Sequence, residues 1–219
     1  TQVLFGAVPG VITAVSAAQV TVTAPAGPPS AVPVTVTTPG GTSNPLPYIY
    51  VAAPAVVDLS PHLGPDSGGN TVVVSGSNLI LAGAVDFGPN PATTFTVVSD
   101  NQLTATAPSG TGTVVVTVTT PGGTSTVGFG NPYYTYLGTP AITMLTPDTG
   151  STSGGDAITI SGSNLTFTDS VTFDGFPASF VVVSDVFVVA TAPAHAAGTV
   201  TVKLHTPAGN SNGVPFTYI

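Results

Sequence analysis

Ser67-Gly-Gly-Asn-Thr-Val-Val-Val-Ser-Gly-Ser-Asn-Leu79 is the stretch of this sequence that decides the fold, because it occurs twice. It returns 86 positions later as Ser153-Gly-Gly-Asp-Ala-Ile-Thr-Ile-Ser-Gly-Ser-Asn-Leu165. Two glycines predict a tight turn, the alternating residues after them predict a strand, and Gly-Ser-Asn predicts a second turn. We name this segment the turn–strand–turn motif. Residues 1–51 contain no copy of it.

The repeat extends beyond the motif. Corresponding segments are Pro54–Pro61 with Pro140–Pro147, Val85–Gly88 with Val171–Asp174, and Thr106–Pro108 with Thr191–Pro193. The first 51 residues match only the later part of the repeat, and Val34–Ser43 is identical to Val116–Ser125. The sequence therefore predicts a partial module at 1–51 (module 1) and complete modules at 52–138 (module 2) and 139–219 (module 3).

Each module is predicted to consist of β-strands. Val72 and Val74 alternate with Thr71, Val73 and Ser75, which predicts one buried and one outward face. Gly, Pro, Asn or Asp interrupts the β-branched runs at intervals of about 8–12 residues, and no segment keeps a helical period. About seven short strands in ~85 residues predict an all-β fold of tandem immunoglobulin-like antiparallel sandwiches, two complete and one partial.

The composition excludes several classes of function. The chain has 219 residues, a net charge of −8, one Lys and no Arg, so it lacks the basic patch that nucleic acids and anionic lipids require. It has no Cys, which removes disulfides and thiolate chemistry but leaves the compartment open. The scarcity of trypsin sites suits an extracellular protein, and a compositional bias of the genome explains it equally well. We find no apolar run of ~18 residues and no signal peptide, and expect any export signal or anchor outside this segment.

The repeat resembles the IPT/TIG family of immunoglobulin-like domains. The resemblance rests on Gly64-Pro-Asp-Ser-Gly-Gly69, the Gly76-Ser-Asn-Leu79 turn, Val85-Asp-Phe-Gly88 and the closing Tyr134-Thr-Tyr136, with their counterparts in module 3. It implies an early-set immunoglobulin-like sandwich, in a family found in bacterial surface proteins, receptors, transcription factors and sugar-active enzymes. The missing cysteines and basic residues depart from the receptor and transcription-factor versions, which favours a bacterial surface or extracellular array.

The histidines and aspartates predict no catalytic or metal site. His62, His195 and His205 have different counterparts in the other modules, so no His–carboxylate pair recurs. Asp100 and Asp185 recur after Ser at strand ends, where we expect them to cap turns. Asp66, Asp148 and Asp156 lie near the Gly-Gly turns and leave open a weak junctional cation site, although no Asp follows calcium-loop spacing.

The other candidate motifs also favour structural roles. Ser75-Gly-Ser-Asn78 is a turn signal, and Pro121-Gly-Gly-Thr124 lacks the Lys and helix of a phosphate loop. Asn164-Leu-Thr166 is the one glycosylation sequon, and Lys203 is expected to face outward. Tyrosines cluster at module ends, which favours a last strand and seam over a sugar platform; they are Tyr48, Tyr50, Tyr133, Tyr134, Tyr136 and Tyr218. We therefore predict no catalytic, cofactor or metal residue, and no enzyme.

The sequence favours a non-enzymatic structural or adhesive segment of an extracellular or cell-surface stalk or fibre. Residues 1–51 would form an open sandwich, so the sequence is a window from a longer array or another chain adds the missing strands. We expect self-association, end to end or by strand donation to 1–51. Contacts with a cell envelope or a glycan stay open. The alternatives are carbohydrate-binding accessory modules of a glycan-active enzyme and a viral or phage fibre decoration.

Overall fold

The computed structural model describes residues 1–126, 130 and 132–219, and every regular element in this part of the chain is a β-strand. No helix in the described ranges could cross a membrane. The tandem all-β prediction is confirmed. Within module 1 the strands are β1 Gln2–Phe5, β2 Val8–Pro9, β3 Val11–Val15, β4 Val20–Thr23, β5 Ser30–Thr38, β6 Gly41–Thr42 and β7 Leu46–Tyr50.

Modules 2 and 3 follow one plan. Module 2 contains β8 Ala55–Ser60, β9 Leu63–Pro65, β10 Thr71–Ser77, β11 Ala84–Phe87, β12 Asn90–Pro91, β13 Thr94–Ser99, β14 Gln102–Thr106, β15 Thr113–Thr120, β16 Gly123–Thr124 and β17 Tyr133–Leu137. Module 3 contains β18 Ala141–Thr146, β19 Thr149–Gly150, β20 Ala157–Ser163, β21 Ser170–Phe173, β22 Phe176–Pro177, β23 Ser179–Ser184, β24 Phe187–Thr191, β25 Gly198–Thr206, β26 Gly209–Asn210 and β27 Val214–Tyr218.

Two sheets face each other in each complete module. In module 2 the first sheet has the order β13-β14-β10-β8 and the second has the order β12-β11-β15-β17-β9, with β16 paired to β15. Module 3 repeats both sheets with β23-β24-β20-β18 and β22-β21-β25-β27-β19. All pairings are antiparallel except β9 with β17 and β19 with β27, which are parallel.

The core lies between the two sheets and is aliphatic with a few aromatic rings. Val72 and Val74 of β10 have no exposed surface, as their alternation predicts. They form one cluster with Val116 and Val118 of the opposite sheet. Burial of such side chains stabilises the sandwich by roughly 1.5–3 kcal/mol each. Each complete module therefore has its own core without a disulfide.

Two of the three glycines of the turn–strand–turn motif are required by close backbone contacts. A Cβ on Gly76 would collide with the carbonyl oxygen of Ala55 in the neighbouring strand. Gly68 has a φ of 71°, and a Cβ there would collide with the backbone of Pro108. The motif is therefore fixed at both ends by contacts with other segments of its own module.

Module 1 has one sheet and a separate hairpin. The sheet has the order β2-β1-β5-β6 with β7 paired to β5, and β3 pairs with β4. Among residues 1–51 only Val3 and Phe5 are buried apolar residues. The counterparts of β8, β9 and β10 are not found among the described residues of this module, in agreement with the partial repeat in the sequence.

Candidate functional site

The junctions between modules have the same hydrogen bond at both boundaries. Asn78 closes the motif in module 2 with a φ of 58°, and its Nδ2 donates to the carbonyl oxygen of Ala53 at 3.0 Å. Asn164 has the same φ, and its Nδ2 donates to the carbonyl oxygen of Thr139 at 2.9 Å. Asn tolerates this left-handed conformation better than most residues. Each complete module therefore binds the short linker that precedes it.

A groove lies beside each of these hydrogen bonds. Corresponding residues line both grooves: Val51, Ala52, Asn78, Leu81, Asp100 and Thr120 at the first, and Leu137, Gly138, Asn164, Phe167, Asp185 and Thr206 at the second. The first groove has a volume of about 230 Å³ and the second about 70 Å³. The same positions of the repeat therefore line a groove at both junctions, although the two grooves differ in size.

Asp100 and Asp185 cap the loop after the motif rather than their own turns. The Asp185 carboxylate accepts two hydrogen bonds from Thr166, one from the hydroxyl at 2.8 Å and one from the backbone N–H at 3.4 Å. Asp100 accepts only the backbone N–H of Ile80, at 3.5 Å. Both aspartates therefore hold the loop that borders the junction groove.

Two histidines contact aspartates in pairs that the sequence did not reveal. His62 Nε2 lies 3.1 Å from Asp58, and His205 Nδ1 lies 2.8 Å from Asp169. The two pairs occupy different positions of the repeat, and all four side chains are substantially exposed. Exposed pairs of this kind contribute at most about 1 kcal/mol.

The third histidine belongs to an aromatic stack. The His195 ring stacks on Tyr218 with centroids 5.2 Å apart and meets Phe176 edge to face at 5.2 Å. Its Nδ1 lies 3.0 Å from the carbonyl oxygen of Ala196. These contacts account for His195 without a catalytic role.

The acidic residues near the Gly-Gly turns do not form a metal centre in the described ranges. Asp156 accepts the backbone N–H of Ser151 at 2.6 Å, and Asp66 lines an open cleft in module 2. Neither these two residues nor Asp148 belongs to a group of three or more potential ligands among the described residues.

The remaining motifs lie in hairpins, linkers and strands. Pro121–Thr124 connects β15 to β16, and Thr119 pairs with Thr124 there. The Asn164 amide of the sequon is occupied by its junction hydrogen bond. Lys203 is exposed on β25, between the buried Val202 and Leu204.

The tyrosines lie on the last strand of each module, and those of modules 2 and 3 pack inward except Tyr133, which is exposed. Tyr134, Tyr136 and Tyr218 are buried, so they offer no sugar platform. Tyr134 donates to Asn70 Oδ1 at 2.8 Å, and Tyr218 donates to the carbonyl oxygen of Pro193 at 2.8 Å. The Tyr136 hydroxyl is buried and has no hydrogen-bond partner among the described residues, and burial, reinforced by the neighbouring Tyr134, raises its pKa to about 12.

The whole repeat matches a known family model. The model described as IPT/TIG domain matches residues 1–50, 54–136 and 140–218. The chain belongs to the IPT/TIG family. The resemblance found in the motif is thus confirmed, whereas the module boundaries at 51/52 and 138/139 stay predictions.

Several solved structures resemble these IPT/TIG modules at a distance. They include the plexin A4 extracellular region (18% identity, 78% of this chain, 18% of that chain, TM-score 0.47). SGBP-B from a xyloglucan utilization locus of Bacteroides uniformis is 18% identical. The match covers 76% of this chain and 49% of that chain, with a TM-score of 0.36. The Escherichia coli adhesin FdeC is 13% identical. The match covers 87% of this chain and 74% of that chain, with a TM-score of 0.41.

This chain corresponds to less than half of the length of the plexin and SGBP-B chains. A search of curated proteins gives no match. Similarities at these levels assign no activity or ligand to the IPT/TIG modules described above, and the expectation that they are not catalytic stays a prediction.

The IPT/TIG module at residues 1–51 has two free sheet edges in the described structure. β4 pairs only with β3, whereas its counterpart β14 is flanked by both β13 and β10. β7 pairs only with β5, whereas its counterpart β17 also pairs with β9. Tyr48 on β7 is 40% exposed, although its counterpart Tyr134 is fully buried. These edges are the most distinctive surfaces of module 1.

Proposed function

We propose that this chain is a non-enzymatic structural or adhesive segment of an extracellular or cell-surface stalk or fibre. The observation that supports the proposal best is the repeated junction hydrogen bond, from Asn78 to Ala53 and from Asn164 to Thr139. A linker held in this way at both junctions restricts the rotation of each complete module relative to the preceding one, so we expect a tandem array to form a semi-rigid rod. The small number of Lys and Arg residues also suits exposure to extracellular proteases.

Distance measurements between spin labels test the rod. The chain has no Cys, so Thr111→Cys and Ala197→Cys place one label in an exposed loop of each complete module. We expect a narrow distance distribution. Asn164→Gly keeps the left-handed backbone accessible but removes the donor to Thr139, and it should broaden the distribution.

Asp174→Gly is the matched control, because Asp174 also has a positive φ, of 52°, but makes no junction hydrogen bond in the described structure. Its distribution should equal that of the parent chain. A parent distribution as broad as that of a flexible linker would contradict the rod proposal.

We further propose that the free edges of module 1 are completed by strands of another chain. The donor would have the pattern of residues 54–79, since that segment occupies both corresponding edges in module 2. The β10–β14 register places a Val74-type residue opposite Val20 and a Val72-type residue opposite Val22. Val20 and Val22 are only partly buried, and such a strand would cover them.

Tyr48 gives the completion a chemical requirement. In module 2 the corresponding hydroxyl, on Tyr134, donates to Asn70. In module 3 the corresponding residue is Phe216, and Asp156, which corresponds to Asn70, accepts a backbone N–H instead. A donor strand for module 1 should therefore bear Asn at the position of Asn70, so that Tyr48 gains an acceptor when it is buried.

Peptide addition tests the completion. A synthetic peptide of residues 54–79 is added to the whole chain, and amide hydrogen exchange is followed at 19–23 and 46–50. We expect slower exchange at both edges, and a weaker effect from the same peptide with Asn70→Ala. A peptide of scrambled sequence is the control. The proposal fails if these edges are already fully protected in a monomeric chain, or if the peptide protects neither edge.

A further inference from the structure

The outward face of one sheet in module 3 is apolar. This face belongs to the sheet β18-β20-β24-β23. Val181 is 66% exposed, Val183 is 62% exposed, and Met144 and Phe187 are 55% and 43% exposed. Val189 pairs with Val181 across the strands and lies on the same face. We name these five residues the module 3 valine face.

The fold itself does not require this face. Module 2 has a different residue at four of the five corresponding positions. Val181 corresponds to Thr96, Val183 to Val98, Phe187 to Gln102, Val189 to Thr104 and Met144 to Asp58. Four of the five positions are therefore polar or charged in a module with the same strand pairing. A sheet that folds with a polar outer face has no structural need for an apolar one, which indicates a contact role in module 3.

Charge restricts what can cover the valine face. The chain has a net charge of −8, yet the outward neighbours of the five residues in this sheet are uncharged: Thr143, Thr146, Thr159, Ser161, Ser179 and Thr191. In module 2 the corresponding face includes Asp58 and its ion pair with His62. The valine face is thus a place where two acidic copies can approach without burying a charge.

We propose that the valine face binds the same face of a second copy across a two-fold axis. An uncharged apolar surface is complementary to itself, as an isologous interface requires. Two such sheets can pack face to face in the way that the two sheets of a sandwich do. The contact uses one face of one module, so we expect weak association, with Kd on the order of 100 μM.

Sedimentation velocity of the whole chain between about 10 μM and 1 mM tests this contact. We expect the weight-average sedimentation coefficient to rise with concentration. A triple variant, Val181→Thr, Phe187→Gln and Val189→Thr, installs the module 2 residues at outward positions, and it should associate at least ~10-fold more weakly. Val98→Thr, a change of a valine 58% exposed on the module 2 face, is the matched control and should associate like the parent.

The contact is independent of strand completion in module 1. Association through the free edges would persist in the triple variant, so the difference between parent and variant reports the valine face alone. Thermal unfolding by circular dichroism verifies that the variant is folded. A parent chain that stays monomeric at 1 mM overturns the proposal, and so does a folded triple variant that associates as strongly as the parent.

Discussion

The hydrogen bond from Tyr134 to Asn70 offers a test of how the motif is bound to the last strand. The hydroxyl of Tyr134 is buried and donates to Asn70 Oδ1 at 2.8 Å, while Asn70 Nδ2 is buried with no partner in the part of the chain that the structure describes. We consider three variants: Tyr134→Phe, Asn70→Ala, and the two together. Phe at this position is compatible with the fold, because Phe216 occupies it in module 3.

The expected free energies follow from which polar atom each variant leaves buried and unpaired. Tyr134→Phe removes the donor and leaves Oδ1 of Asn70 without it, at a cost of about 1–2 kcal/mol. Asn70→Ala leaves the buried hydroxyl unpaired, at a cost of about 1–3 kcal/mol. The double variant leaves neither atom. Its cost should therefore not exceed that of Asn70→Ala alone, which gives a coupling energy of at least about 1 kcal/mol.

Hydrogen exchange of the whole chain measures these energies module by module, since three modules need not unfold in one transition. The amides of β10 and β17 report on module 2. Tyr133→Phe is the matched control, because that side chain is 43% exposed and its removal should change stability by less than ~0.5 kcal/mol. Strictly additive costs of the two single variants would refute the reasoning.

Three further predictions concern single residues. Gly76→Ala should destabilise module 2 by about 1–3 kcal/mol in thermal unfolding, because its Cβ would collide with β8. Gly83→Ala should be neutral, because its Cβ would make only an ordinary contact of 3.9 Å with the carbonyl oxygen of Thr119. The Tyr136 pKa is raised from 10.0 to about 12, so the stability from its neutral hydroxyl is complete below pH ~10 and is lost as the pH rises toward ~12. Denaturant unfolding across this range should show a loss on the order of 2 kcal/mol that Tyr136→Phe removes. Replacing His205 by Asn, which breaks the exposed pair with Asp169, should change stability by less than ~1 kcal/mol in denaturant unfolding at pH 6.

Features that depend on neighbouring residues could be predicted from the sequence. The alternation of Val72 and Val74 with polar or outward residues sets which side chains are buried, because successive residues of a strand face opposite sides. The same rule correctly placed Lys203 on the outer face of its strand. The repeat also helps to predict the strands and turns, because the same residue patterns recur at corresponding positions of successive modules.

Features that depend on long-range register could not be predicted in this way. Asp169 meets His205 because β21 pairs with β25, and nothing in the local sequence specifies that register. The sequence predicts a turn at Asn78, but it does not indicate that the side chain bonds to Ala53, which lies 25 positions earlier in the linker. The valine face was also hidden, because β23 alone does not show that Phe187 and Met144 share its outer surface.

The parallel pairing of β9 with β17 determines how a complete module responds to a pulling force. These strands lie near opposite ends of the module sequence, so tension along the chain pulls them in opposite directions along their length. Backbone hydrogen bonds such as Thr135 N–H to His62 and Asp66 N–H to Leu137 would then be loaded together in shear, not opened one by one. Module 3 repeats this mechanical clamp with Thr217 N–H to Asp148. Module 1 would gain it only when a strand pairs with β7.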